Sequence, residues 1–473
     1  MPIHTRPKGA ILTETRALLA LALPLVLTNL SQMAMALTDA LILGRLSTEA
    51  LAAVTLATNL CWALLAPAFG LALAAAPLLA QSRGAGRRGG GLGRGWMREM
   101  RRDARQALWA IIIVTLPCWA VLWHAGALLV LLGQDPALAE LAQTYVRPMM
   151  LGFPAFCLFI LLRGFLAAME RPNAALWIAF AAVVVNGVLC WALVFGAGLG
   201  VFGAGIATLL AQLFMAAALL WLIRRDRRLR RFRLLGRFWR IDLVRLAEVF
   251  RVGLPIAGQM MLEIGVFAAA LIVVGWFGAA SIAAHAIAIQ IASFTFMVPM
   301  GVGQAATSRV GIFAGAGAME AAALSGSVAI ALGAAFMAMM AAALLLFAQP
   351  LAWAFLDPQD SEARGAAALG AALLMIAGVF QLADGVQAVA AGSLRGLKDT
   401  RVPMLLAALG YWGIGLPLGI ALALWVGLEA RGVWWGLAAG LAIVAVLMLR
   451  RWRRMSAAPT RSPIRLPIRF GAG

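Results

Sequence analysis

Long apolar runs separated by short polar breaks extend along nearly the whole chain. The runs are of membrane-spanning length rather than the length of strands or core helices. About twelve spans are predicted, near residues 16–39, 50–80, 107–132, 142–168, 174–196, 201–223, 245–276, 283–310, 322–348, 366–390, 403–426 and 431–450. The pattern then repeats. Leu23-Pro24 opens a segment that runs through Gly44 and Gly70 to Gly84-Ala85-Gly86. Leu254-Pro255 opens another, through Gly275 and Gly301 to Gly315-Ala316-Gly317, and no gap is needed to align the two. Later, Gly164-Phe165-Leu166 is echoed by Gly392-Ser393-Leu394. A duplicated apolar chain predicts an all-α membrane protein of two pseudo-symmetric six-helix bundles, the plan of a transporter whose halves face each other across a cavity. The divisions expected are an N-terminal lobe over 1–223, a basic cytoplasmic linker over 224–244, a C-terminal lobe over 245–450 and a basic cytoplasmic tail over 451–473.

Composition agrees, with 63% hydrophobic and only 12% charged residues, which excludes a soluble globular protein. The net charge of +20 raises nucleic acid as a partner, but its distribution argues against one. Positive residues cluster in alternate loops: Arg83 to Arg105, Arg163 with Arg171, Arg224 to Arg240, Arg395 to Arg401, and Arg450 to Arg469. The intervening loops hold Arg45 with Glu49, then Asp135 and Glu140, then Asp357, Asp360 and Glu362 with Arg364. This alternation follows the positive-inside rule and puts the basic loops and both termini in the cytoplasm of a bacterial cell, in a multi-pass inner-membrane protein. The basic tail is topogenic and attracted to anionic headgroups, so membrane lipid is the expected macromolecular surface. Arg224 to Arg240, interleaved with Leu, Phe and Trp, reads either as an amphipathic helix on the inner leaflet or as a solvated linker. Arg83 to Arg94, rich in Gly and Arg, reads as a flexible turn. Arg6, Lys8 and Arg16 precede the first span without a convincing cleavage site, which predicts an uncleaved first helix.

Motifs for enzymatic chemistry are missing. Gly84-Ala85-Gly86-Arg87-Arg88-Gly89 matches GxGxxG by letter, yet no βαβ unit surrounds it. No Walker A sequence occurs. His4, His124 and His285 share no metal-ligand spacing, and Cys61, Cys118, Cys157 and Cys190 have no CxxC spacing. The chain is expected to be no enzyme and to carry no cofactor.

The chemistry lies in polar residues within the spans, because an intramembrane ionisable group is costly and usually functional. Three acids interrupt apolar sequence away from the basic loops: Asp39, Glu263 and Asp384. Gln381, Asp384 and Gln387 fall at helical spacing on one face, and Asn186 interrupts the fifth span. Interhelical hydrogen bonding is the structural alternative for each. The repeat weighs against it for two of the acids. Asp39 aligns with Ala270 and Glu263 with Gln32, so the partner copy manages without either carboxylate. Acids that break the symmetry are better explained as cation sites. A carboxylate in an apolar cavity can bind and release protons near neutral pH, or join amides and carbonyls around a sodium ion.

The stretch Gly253-Leu254-Pro255 through Glu263, then His285 to Gln290, Pro299-Met300-Gly301 and Gln304, resembles the multidrug and toxic compound extrusion (MATE) transporters. So does Gln381-Leu382-Ala383-Asp384-Gly385-Val386-Gln387 with Gly392 to Thr400, and so do Asp39 with Gly44 and Ala76-Pro77 through Gln81 in the first half. The resemblance covers nearly the whole chain and is closest to the bacterial NorM-type branch. It implies twelve helices in two lobes and cation-coupled export of organic cations. It implies that Glu263 and Asp384 bind the coupling ion, H+ or a possible Na+, and that Asp39 and Asn186, with Gln381 and Gln387, line the substrate and cation cavity. Phe380 departs from the pattern, standing where some such proteins have a tyrosine.

A water-filled cavity with fixed acids and an apolar lining attracts amphipathic cations. Small organic cations are therefore the expected partners of a chain expected to work as a monomer. The runner-up reading is a lipid-linked precursor flippase of the same superfamily. It would require intramembrane Arg or Lys in the cavity, whereas the basic residues are expected at the loops.

Overall fold

The computed structural model describes residues 8–88, 95–355 and 363–457. Regular structure among them is helical throughout, and twelve helices are long and apolar enough to cross a membrane. We number them α1 (Gly9–Leu46), α2 (Thr48–Arg88), α3 (Gly95–Leu122), α4 (Pro136–Ala168), α5 (Asn173–Gly196), α6 (Gly200–Arg225), α7 (Leu243–Gly275), α8 (Ala279–Gly315), α9 (Met319–Trp353), α10 (Arg364–Gly396), α11 (Arg401–Leu424) and α12 (Glu429–Ala457). In hydrocarbon every backbone amide must be satisfied within its own segment, which selects helix for these runs.

The two bundles pack by the same rules. In the first, α2 packs on α3 and α4, α4 on α6, and α5 on α1 and α6. In the second, α8 packs on α9 and α10, α10 on α12, and α11 on α7 and α12. Between the bundles, α1 meets α8, α7 meets α2, and α2 meets α8 near the pseudo-twofold axis. The repeat is visible down to single glycines. A Cβ added at Gly70 would lie 2.7 Å from the Ala257 nitrogen, and one added at the equivalent Gly301 would lie 2.8 Å from the Val26 nitrogen. Gly84 and Gly315 likewise abut the carbonyls of Ile312 and Gln81, so α2 and α8 approach closely only because these positions lack side chains.

α1 and α7 cross between the bundles. Leu18, Leu21 and Leu25 of α1 belong to an apolar cluster built mostly from the second bundle, whereas Leu43 at the other end packs in the first. Conversely, Leu246 and Val249 of α7 sit in the first-bundle cluster, and Val266 and Ala270 in the second. Pro24 and Pro255 lie inside these two helices at equivalent points of the crossing. The basic-end halves of the lobes are thereby joined. The second-bundle cluster at the opposite end contains no residue of α1 to α6.

Ion pairs reinforce the joined half. Arg309 of α8 forms a bidentate pair with Glu14 of α1 at 2.6 and 2.5 Å, and reaches Glu170 at 3.2 Å. Arg245 of α7 pairs with Asp103 of α3 at 2.7 Å and with Glu99. Glu14 and Arg245 are equivalent in the repeat and opposite in charge, so each crossing helix is tethered to the other lobe by a different sign.

Several sequence expectations need correction. The third span was expected over 107–132, but α3 starts at Gly95 and ends at Leu122, followed by a short helix over Ala125–Leu131. The stretch expected as a turn from Arg83 remains helical to Arg88, with Gly84 and Gly86 buried where neighbouring chain presses on α2; residues 89–94 lie outside the described set. The linker is not an amphipathic helix. It forms one 3-10 turn over Arg230–Phe232 and further turns, with positive φ at Arg233 and Arg237. Its carbonyls are taken by α3: Arg101 donates to Phe232, Arg105 to Arg237, Trp109 to Phe238 and Gln106 to Arg240. Donors outside the linker's own backbone replace the helical ladder. Asp357, Asp360, Glu362 and the tail from residue 458 lie outside the described residues.

Candidate functional site

α1, α4, α5 and α6 converge on Asp39 in the first lobe. The Thr208 hydroxyl of α6 lies 3.2 Å from Asp39 Oδ2, 3.1 Å from the Ala204 carbonyl and 3.4 Å from Tyr145 Oη. Its one proton is shared between carboxylate and carbonyl, while the Tyr145 hydroxyl can donate to it. Asn186 and Cys190, one turn apart on α5, stand beside the carboxylate. All five side chains are buried. Asp39 Oδ1 and both amide heteroatoms of Asn186 have no protein partner. Of these, Asp39 Oδ1 and Asn186 Oδ1 are oxygens of the kind that bind a cation or accept from water, while the Asn186 amide nitrogen can only donate.

The second lobe holds the other acids. Glu263 of α7 and Asp384 of α10 are close enough to act on each other electrostatically, and Arg395 acts on Glu263. Tyr411 of α11 feels both carboxylates. Asp384, Gln381, Gln387 and Tyr411 are buried, and Glu263 is partly so. The amide heteroatoms of Gln381 and Gln387 and the Tyr411 hydroxyl are without protein partners. Phe380, the departure noted above, packs edge-on against Phe267 and Trp434 at 5.9 and 5.8 Å. Trp434 donates to His285 Nδ1 at 3.2 Å, which makes this buried histidine a packing partner within the lobe.

Cys190 immediately precedes a π-helical turn over Ala192–Gly196 at the end of α5, and Tyr411 lies within another over Leu409–Gly415 in the middle of α11. Such turns shift the helix register and recur at functional sites. Each group offers hard oxygen donors suited to a proton or a monovalent cation. Among the described residues no set of three His, Cys, Asp or Glu side chains comes together as a metal cluster.

The structure places Glu263 and Asp384 inside the same lobe on two different helices, and sets Asp39 beside Asn186. It does not bring the four expected cavity residues together: Gln381 and Gln387 belong to the Asp384 group in the other lobe. A second difference concerns the arginines expected at loops. Arg163 is buried inside α4 and donates to Asn29 at 2.9 Å. Arg395 lies in the last turn of α10, whose terminal Gly396 carbonyl accepts from Gln81 of α2 at 2.8 Å. Both arginines line an inter-lobe cavity of about 40 Å³ with Gln304, Thr307 and Ser308. Sequence reasoning missed Thr208, Tyr145 and Tyr411, although the chain has only two tyrosines and each sits beside an acid group.

A family model described as MatE matches this chain twice, over residues 24–192 and 255–421. The probable multidrug resistance protein NorM of Mesorhizobium japonicum is 44% identical over 469 residues, covering 98% of either chain. The protein of the same name from Burkholderia mallei is 40% identical over 447 residues, covering 93% of this chain and 92% of the relative. Among solved structures, a MATE transporter from Vibrio cholerae superposes with a TM-score of 0.85 at 17% identity, over 95% of this chain and 98% of that one. A eukaryotic MATE transporter gives 0.82 at 21% identity, over 94% and 98%.

Proposed function

The chain belongs to the MATE family of multidrug efflux transporters, and on that premise we propose that it exports amphipathic organic cations in exchange for H+ or Na+ by alternating access. It is a transporter and not an enzyme. The observation that carries the proposal is the set of polar side chains inside the second lobe: the carboxylates of Glu263 and Asp384, with the buried, unpartnered amides of Gln381 and Gln387 and the Tyr411 hydroxyl. Two like charges in an apolar interior favour uptake of a cation or proton between them. Only a ligand with different affinity for the two states can move a conformational equilibrium. In our reading the inward-moving cation occupies this pair from outside, disfavours substrate retention and returns the loaded carrier. Asp39, with Asn186, Thr208 and Tyr145, serves the first-lobe side of the cavity.

The lobes are joined at their basic ends, and the positive-inside rule assigns those ends to the cytoplasm of a bacterial inner membrane. The arrangement is then the outward-facing state of a carrier that works as a monomer among membrane lipids. A flippase gains one supporting feature, the buried Arg163 with the half-buried Arg395. Their cavity, at about 40 Å³, has room for a water or two and none for a lipid headgroup, so cation export is favoured. Dye efflux from proteoliposomes under separately imposed proton and sodium gradients tests the reading. Efflux driven uphill by one gradient supports it, and efflux indifferent to both overturns it.

A further inference from the structure

The basic end carries a second, larger cavity. Arg98, Arg101, Arg102 and Arg105 occupy one face of α3 at helical spacing. The docked linker sets Arg233, Arg237 and Arg240 against that face. Together they line a cavity of about 1020 Å³, with Asp242 the acid in its wall. Arg102 engages Asp242 at 3.6 Å and Glu99 at 3.3 Å, and Arg245 holds Asp103 and the other oxygen of Glu99. The guanidiniums lie close enough to repel: Arg101 feels Arg98, Arg233 and Arg237, and Arg105 feels Arg102 and Arg240. Arg105 is buried, and its Nε has no protein partner. So many cations held together by deliberate backbone bonds need an anion to offset them. All seven are arginine, whose planar fork matches phosphate oxygens in pairs.

The surroundings select the source of that phosphate. α3 is a membrane-spanning helix, so the cavity opens where its basic end meets the bilayer surface. Trp239, Leu243 and Val244, next to the cavity wall in the chain, are 75%, 74% and 75% exposed. An exposed tryptophan and aliphatic side chains beside an arginine pocket suit the boundary between headgroups and acyl chains. We propose that this cavity is a binding site for an anionic phospholipid, with preference for one carrying two phosphates, which pins the inter-lobe linker to α3.

The test uses the full-length protein purified in detergent. Lipid affinity is measured by native mass spectrometry and thermal unfolding with diphosphatidylglycerol, phosphatidylglycerol, phosphatidylcholine and inorganic pyrophosphate. Arg98→Gln with Arg240→Gln removes two charges and none of the linker hydrogen bonds named above. Each charge near such a headgroup is worth roughly fivefold in affinity, so the double variant should bind diphosphatidylglycerol about 30-fold more weakly. The Arg98→Lys, Arg240→Lys variant should recover most of the loss. If the double glutamine variant does not fold, Arg98→Gln alone is read against the fivefold expectation. Equal binding of phosphatidylcholine, or unchanged affinity in a folded variant, overturns the proposal. So does equal stabilisation by pyrophosphate, which would assign the cavity to a soluble phosphate.

Discussion

Glu14→Gln is the sharpest perturbation of how the lobes are held together. Arg309 presents two nitrogens to the Glu14 carboxylate at 2.6 and 2.5 Å, with both side chains about 10% exposed. Solvent therefore screens this pair far less than a surface pair. Hydrogen bonds to charged groups contribute about 1.5–3 kcal/mol each. Glutamine keeps one acceptor, and Glu170 at 3.2 Å keeps part of the neutralisation. The net loss is then about 2 kcal/mol from the state closed at the basic ends, a shift of about 30-fold in its equilibrium with the parted state. A reporter is available at Ser308, which is 1% exposed and lines the inter-lobe cavity. With the four native cysteines replaced, Ser308→Cys should react slowly with a membrane-impermeant maleimide in inside-out vesicles. Adding Glu14→Gln should speed that reaction about 30-fold, since labelling follows the parted population. An unchanged rate would refute the reasoning, because the pair would then contribute nothing to closure.

Three further outcomes follow from the same structure. Asp39→Asn should cut export by roughly tenfold at near-normal expression, because the amide keeps the shape and removes the charge of an open ligand position; transport per folded molecule equal to the unmodified protein would make Asp39 purely structural. Asp226, outside the spans, sits below the usual carboxylate range because the Arg228 N–H donates to it, joined by Leu229 and the Arg171 guanidinium. Its hold on the linker is therefore complete at neutral pH and is lost as pH falls through the acidic range, so linker protection from proteolysis should drop on acidification and not on mild alkalinisation. A cysteine at Arg228 should resist impermeant label added to intact cells while one at exposed Ala137 reacts; the reverse would invert the orientation.

The repeat and the helices were legible because hydropathy sums many small transfer energies over a window, and a duplicated pattern survives the noise of single residues. What escaped was set by individual partners. Arg163 and Arg395 look like loop cations by sequence, yet Asn29 and the inter-lobe cavity hold them inside. The linker's aromatic and basic alternation suits a helix, but α3 supplies donors that favour turns. At the site, Asp39, Glu263 and Asp384 stood out because a carboxylate in hydrocarbon is costly enough to need a reason. Thr208 and Tyr411 did not, since a hydroxyl in a span is ordinary until its neighbour is known. The Glu14–Arg309 pair was hidden for the same cause, although the repeat already set Glu14 opposite Arg245.

The central claim is that Glu263 and Asp384 couple cation entry to export. Its most direct test is uphill dye export in proteoliposomes under the driving gradient, comparing the unmodified chain with Glu263→Gln and with Asp384→Asn. Each variant is expected to lose gradient-driven export while dye binding survives in part. Full uphill export by either one would show that residue to stand outside the coupling machinery and would contradict the mechanism.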